Sequence, residues 1–261
     1  MEQINPGRQQ IDKLASLIDA AQVVVAFTGA GISTESGIPD FRSPGGIWTK
    51  YNPEDFTYQK FLSSEQSRRL AWERFRLSGI LDASPNPAHY ALANLERMGK
   101  LNCLITQNID GLHQKAGNSE GIIIELHGTY HWVVCLSCGQ RYRSTEILRR
   151  LEAGVEVPEC DRCGGILKTA AVSFGQPMPE TEMIQAQRWS TMADLFIVIG
   201  SSLVVYPAAQ MPVIAVQSGA KLVVVNATPT PMDSYAELVI REKAGQVLPA
   251  VVEALRRQQR N

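Results

Sequence analysis

The chain has 261 residues, 44% of them hydrophobic and 20% charged, with a formal net charge of −1. That length can bury one large core plus a small satellite, and the near-neutral balance offers no polyanion-binding face, so no direct nucleic-acid partner is indicated. No apolar run approaches the roughly 20 residues of a membrane span, and no basic segment leads into an apolar stretch, so neither a membrane nor export is expected.

In chain order, Ile11, Leu14, Leu17 and Ile18 share one face of a first helix. Val23 to Phe27 is a short β-branched run that stops at Thr28-Gly29-Ala30-Gly31. Strand, glycine turn and helix in succession form the first unit of a dinucleotide-binding fold. Gly29 and Gly31 would let backbone approach a pyrophosphate, with the next helix offering unpaired N–H groups. Taken alone, a plain tight turn accounts for the loop as well, because Thr34 replaces the third glycine of G-x-G-x-x-G. The continuation Ser36-Gly37-Ile38-Pro39-Asp40-Phe41-Arg42 packs a stiff ring, a carboxylate, an aromatic and a cation into four residues. Such a loop suits covering a nicotinamide ribose and excluding water.

Residues 43–88 read as a mainly helical insertion, followed by a helix from His89 to Met98. Further strands are expected at Leu101 to Thr106, Ile122 to Leu126, Leu195 to Ile199, Lys221 to Val225 and Glu237 to Ile240. Most are continuous apolar runs, as in a parallel sheet covered on both faces. Thr181 to Met192 and the stretch carrying Val247, Leu248, Val251, Val252 and Leu255 complete the helices.

Polar residues gather where these strands end: Gln107-Asn108-Ile109-Asp110, Gly200-Ser201-Ser202 and Asn226. Ligands of open α/β sheets bind beyond strand C-termini, so several such ends together argue for one crevice. Asp110 before Gly111 could equally cap the next helix. Of four histidines, His89, His113 and His131 read as structural. His127 directly follows a strand and precedes a glycine, which favours a general base.

Cys135, Cys138, Cys160 and Cys163 form C-x2-C-x21-C-x2-C, four soft ligands on two knuckles suited to a closed tetrahedral zinc site; two short disulfides are the alternative. Cys103 reads as buried filler. Paired thiols plus one buried thiol fit a reducing, cytoplasmic setting. The fold expected is α/β: a Rossmann-type parallel sheet domain (1–42, 89–127 and 177–261) with a helical insertion at 43–88 and an inserted small zinc-binding module at 128–176.

The stretches Thr28 to Ser33, Gly37 to Arg42, Thr106 to His113, His127-Gly128, the four cysteines and Gly200-Ser201-Ser202-Leu203 together resemble the sirtuins, NAD-dependent protein-lysine deacylases. They run in family order from about residue 10 to 255, with the short tails of bacterial and archaeal members. The resemblance implies that NAD and acyl-lysine enter a cleft between sheet domain and module. Nicotinamide leaves as the acyl oxygen attacks the ribose carbon, and the acyl group ends on ADP-ribose. It assigns His127 as base and Asn108 as the residue ordering ribose and water. NAD contacts would come from Gly29, Ala30, Gly31, Thr34, Asp40, Phe41, Arg42, Gln107, Asn108, Ile109, Asp110, His127, Gly200, Ser201, Ser202, Asn226 and Ala244. The acyl-lysine peptide would meet Ile109, Val172, Phe174, Gly175 and Val204, and the cysteines would hold one structural zinc.

Three departures accompany the resemblance. Gln176 stands where an acid is common, and Lys168-Thr169-Ala170-Ala171 is atypical. Phe75 and Ser78 occupy the Tyr-x-x-Arg positions that bind dicarboxylic acyl groups, so a neutral acyl group, acetyl first, is expected. The alternatives are a longer-chain neutral deacylase, protein mono-ADP-ribosyl transfer, and an NAD-responsive binding module without catalysis.

Overall fold

The structure is a computed structural model and describes residues 6–258. Residues 1–5 and 259–261 of the expected sheet-domain ranges lie outside the described residues. Six strands form one parallel sheet: β1 (Val24–Thr28), β2 (Cys103–Thr106), β3 (Ile123–Glu125), β7 (Leu195–Ile199), β8 (Lys221–Val225) and β9 (Leu238–Ile240), in the order β3-β2-β1-β7-β8-β9. The chain builds outward from β1 to one edge, returns to the middle, and builds outward again from β7. The reversal between β1 and β7 is the switch point at which open α/β sheets bind ligands.

The strands are apolar throughout because alternate residues serve two cores. Val24 and Ala26 pack beneath α1 (Pro6–Ala20), α4 (Pro87–Arg97) and α9 (Ala244–Gln258), with Leu14, Leu92 and Leu248 among their fully covered partners. Val25 and Phe27 face the opposite layer, α7 (Glu180–Met192) and α8 (Gln210–Gln217). Cys103 lies in that second core, and burial pushes its thiol up to about 12, which suits filler and not a nucleophile.

β4 (Gly128–Cys135), β5 (Arg141–Arg143) and β6 (Leu167–Ala171) form a separate antiparallel sheet, β5-β4-β6, with α6 (Ser144–Glu152) against it. The region from 43 to 88 holds two short 3₁₀ turns, Ile47–Thr49 and Pro53–Phe56, then α2 (Tyr58–Ser63) and α3 (Glu65–Leu77). Trp72 and Phe75 of α3 share one core with Val133, Tyr142, Ile147 and Leu167 of the small sheet and its helix. Two insertions far apart in sequence therefore pack as one body. α5 (Leu112–Ala116) is a single short turn after β2.

One expectation changes. The helix after the glycine turn is a seven-residue 3₁₀ segment, Ala30–Ser36, and not an α-helix. Gly37 ends it in the left-handed conformation, and Gly200 presses on it from the neighbouring strand end. Among the described residues no helix is long and apolar enough to cross a membrane.

Candidate active site at the sheet switch point

β1, β2 and β7 end at one level, since Thr28 is in register with Thr106 and with Ile199. The next residues are laced together: Gly29 N donates to Ile199 O, Gln107 N to Thr28 O, and Gly31 N to Gly200 O at 2.8 Å. A Cβ on Gly29 or Gly31 would lie 2.8 Å from Gly200 O, and one on Gly200 would lie 2.3 Å from Ile32 N. The glycines thus serve loop-on-loop approach. The Gly31 amide is already spent, so it is not the open anion donor the motif suggests. Gly200 also has φ +61, so Gly200→Ala adds strain to a clash. That variant is expected to lose roughly 2–4 kcal/mol of stability; an unshifted thermal melt would contradict the close approach.

His127 emerges after β3. Its Nδ1 lies 2.9 Å from Gln107 O. A carbonyl only accepts, so Nδ1 carries the proton and Nε2 presents a lone pair. Burial lowers the pKa of His127, and the Gln107 carbonyl pulls more weakly the other way, so the ring is neutral near pH 7. Gln107 also donates through Nε2 to Ser201 Oγ at 2.7 Å, tying the second strand end to the fourth.

Asn108 donates both amide hydrogens, to Gly29 O at 3.2 Å and Ser33 Oγ at 3.1 Å. This fixes its orientation and leaves Oδ1 as an acceptor for a ligand. Ser33 Oγ donates to Asp110 Oδ2 at 2.7 Å, and His89 Nε2 lies 3.5 Å from Ser33 Oγ. His89 Nδ1 accepts Asn86 N, so the donor run is His89, Ser33, Asp110. Burial lowers the pKa of His89 despite the opposing charge of Asp110, which keeps it neutral in that run. Asp110 Oδ1 accepts Leu112 N, so the turn-cap reading is realised alongside its place in the network. Nothing in the sequence pattern singled out Ser33; its position directly after the glycine turn was the available signal. His113 is buried on α5, 3.0 Å from Thr28 Oγ1, and His131 Nε2 bonds Asp110 O. Ile109 O accepts Tyr130 N, which joins the second strand end to the small sheet.

A cavity of about 430 Å³ runs across the ends of β1, β7 and β8, lined among others by Gly31, Thr34, Asp40, Gly200, Asn226 and Ala244. Its donors and acceptors include the Thr34 and Thr228 hydroxyls, the Asn226 amide, Glu242 and Lys243, a set suited to a nucleotide's ribose and phosphates. The residues therefore fit a dinucleotide. Of the expected NAD contacts, Gly29, Ala30, Phe41, Arg42, residues 107–110, His127, Ser201 and Ser202 stand outside this lining, and Arg42 is exposed. Asp40 is engaged by its own loop: its carboxylate accepts Arg42 N, Ser43 N and Ser43 Oγ. Partial burial raises its pKa, but these Ser43 and Arg42 bonds outweigh that and hold it below the usual carboxylate range.

Val172 N donates to His127 O at 2.8 Å, so β6 delivers residues 172–175 beside the histidine. Phe174 is exposed, and its backbone pairs with Phe56 O and Tyr58 N. Phe41, Trp48 and Phe174 form a row, with ring centroids 5.2 and 5.8 Å apart, and Phe56 sets its edge on Trp48 at 5.2 Å. Arg74 stacks on Phe56 and donates to Asp55 O. Trp48 and Phe56 had no signal beyond aromaticity. Val204 and Tyr206 are exposed on the other rim, next to Leu203, whose φ of 55 is held by a buried side chain. Gln176 Oε1 accepts Ser173 N, so a neutral amide closes this turn. Phe75 is buried in the insertion core and Ser78 bonds Phe75 O.

The four cysteine Sγ atoms lie within 4.8 Å of one another. Cys135–Cys163 and Cys138–Cys160 are 3.5 and 3.7 Å apart, too long for the roughly 2.05 Å of a disulfide. Zn–S bonds of about 2.3 Å give a tetrahedron edge of about 3.8 Å, so the cluster fits zinc and the disulfide alternative falls. With no position left for a substrate, that zinc is structural.

The Sir2 family model matches residues 29–207. A deacetylase of Pyrobaculum aerophilum, named NAD-dependent protein deacetylase 1, is 45% identical over 249 residues, covering 95% of each chain. NAD-dependent protein deacylase 2 of Archaeoglobus fulgidus is 44% identical over 250 residues, 95% of this chain and 97% of the relative. A solved Sir2 enzyme superposes with a TM-score of 0.88 at 43% identity, covering 96% of this chain and 99% of that one. A Sir2–p53 peptide–NAD+ complex gives 0.84 at 40% identity, covering 92% and 96%. The chain belongs to the Sir2 family.

Proposed function

We infer that the protein is an NAD-dependent protein-lysine deacetylase that moves the acetyl group of an acetyl-lysine protein or peptide onto ADP-ribose and releases nicotinamide. One observation carries the mechanism: His127 has Nδ1 fixed on Gln107 O, which leaves Nε2 with a lone pair, and its own carbonyl holds Val172 N at the start of the 172–175 segment. NAD supplies the labile glycosidic bond and the ribose hydroxyl that receives the acetyl group.

His127 takes the proton of that hydroxyl at Nε2, and Gln107 O stabilises the imidazolium that results. Asn108 Oδ1 accepts from the ribose or a water held beside it, with Ser33 and Asp110 keeping the amide in place. The Phe41, Trp48 and Phe174 rings wall the reacting centre against bulk water. Thr34, Asn226 and Ala244 hold the nucleotide, and Ile109, Val172, Gly175 and Val204 flank the acyl-lysine. Phe75 in an apolar core, where a dicarboxylic acyl group would need a polar partner, supports a neutral acyl group. The sheet domain (1–42, 89–127 and 177–261) binds NAD, and the module at 128–176 with the insertion at 43–88 frames the peptide. Unbridged thiols support a cytoplasmic setting.

Zinc-loaded protein with NAD and an acetyl-lysine peptide should release nicotinamide together with O-acetyl-ADP-ribose. No peptide-dependent release would sink the reading, and label kept on protein would point to ADP-ribosyl transfer. The base must be neutral, and burial sets the pKa of His127 below the ordinary value near 6.5. Activity should therefore persist through pH 6.5 and decline only on further acidification. A kcat/KM profile whose acid limb lies above pH 7 would contradict this.

A further inference from the structure

We propose that Lys168 is a positioning residue for acyl-lysine binding: its ammonium fixes the end of β6 and thereby sets where residues 172–175 stand relative to His127. The inference rests on the deacetylase reading. β6 is an outer strand of the small sheet, with no strand beyond it among the described residues. Its ladder with β4 is regular from Cys135↔Leu167 to Val133↔Thr169, and is next met at Gly128↔Ala171. β4 takes five residue steps over that interval and β6 only two, so the strand leading to the peptide segment runs past a bulge.

At this point Lys168 folds over its own strand. Its Nζ donates to Ala171 O and, at 3.3 Å, to Thr169 O, which spans the gap in the ladder. The residue after Ala171 is Val172, whose amide is bonded to His127 O, and two residues on is Phe174, paired with Phe56 and Tyr58. The side chain thus fastens the last carbonyls before the chain reaches the base and the acyl-lysine wall.

The environment is an expensive one for a cation. Lys168 is only 4% exposed, and no carboxylate among the described residues forms an ion pair with it. Burial pushes its ammonium down to about 8. A buried, unpaired ammonium is a poor means of stabilising a small sheet, and an apolar side chain would pack there at lower cost. What the ammonium provides instead is a set of donors that ties together Thr169 and Ala171, the two β6 residues on either side of the ladder's interruption.

Lys168→Met and Lys168→Arg separate positioning from packing. Steady-state kinetics would vary NAD and acetyl-lysine peptide independently, with peptide affinity read by fluorescence anisotropy and with thermal melts and zinc content measured alongside. Lys168→Met should raise the KM and Kd for peptide about tenfold while the KM for NAD stays within about twofold, and Lys168→Arg should recover most of the loss. Unchanged peptide affinity in Lys168→Met, or an equal rise in both KM values, would overturn the proposal. Should Lys168→Met not fold, Lys168→Arg decides. It retains donors for both carbonyls, so peptide affinity within about threefold of the parent supports the role and a tenfold loss with a native melt refutes it. Anisotropy needs no turnover. A parent protein that binds peptide without deacetylating it would end the deacetylase reading and still leave Lys168 testable.

Discussion

His127→Ala is expected to lower O-acetyl-ADP-ribose formation by about 10²- to 10⁴-fold, an increase of roughly 3–5 kcal/mol in the barrier, while NAD still binds. The substitution removes the ring whose Nδ1 is held by Gln107 O and whose Nε2 keeps a lone pair. His89 spends both ring nitrogens, on Ser33 Oγ and Asn86 N, while His113 Nε2 meets Thr28 Oγ1 and His131 Nε2 bonds Asp110 O; His89 and His113 are buried. Gln107 O would turn to water, at small cost for a group at the cleft surface. The residual rate should lose the acid limb assigned to His127. Equal turnover in variant and parent, measured by product mass spectrometry at saturating NAD, would reject the histidine as base. Loss of NAD affinity in proportion to the rate would reassign it to binding.

Cys135→Ala should have the second large effect, on structure first. Cys135 is buried and belongs to the insertion core together with Trp72, Tyr142 and Leu167. Structural zinc contributes about 10–16 kcal/mol of apparent binding free energy at pH 7, most of which is folding free energy in a module too small to hold itself together. Losing one thiolate should release the metal, lower the thermal midpoint of the module, and change Trp72 fluorescence, because that ring packs on the same core. Peptide-dependent activity should fall with it, since β6 carries residues 172–175 to the histidine. Chelated protein that keeps its zinc-loaded melt and its turnover would refute the structural role.

Much of this architecture was legible in the sequence. Leu195–Ile199 and Lys221–Val225 were read to the residue, because strands buried on both faces are uninterrupted apolar runs bounded by polar ends. The cysteine spacing pointed to the four-thiol cluster, and the location of His127 after a strand put its ring at the strand end beside Gln107 O. What local pattern does not carry is what arrives from elsewhere in the chain. The 3₁₀ form of residues 30–36 is imposed by Gly200, and no periodicity near residue 30 reports a loop about 170 positions away. Ser33 looked like one more small polar residue until Asp110, Asn108 and His89 were seen to converge on its hydroxyl. Trp72 and Phe75 carried a helical spacing, but spacing does not say that their partner is a cysteine hairpin. Lys168 stood out only as part of a stretch atypical of the resemblance, and nothing in that stretch reports that its side chain is buried.

The common core of α3 and the cysteine module means that the roof of the cleft is a single lever and not two independent flaps. It joins the sheet domain at His127-Gly128 and Ala171-Val172 and through the Tyr130 N–Ile109 O and His131 Nε2–Asp110 O bonds, while Phe174 pairs with Phe56 and Tyr58 of the insertion. A guest that tilts this lever from the peptide side must also carry Trp48 and Phe41, and with them the rim of the nucleotide chamber.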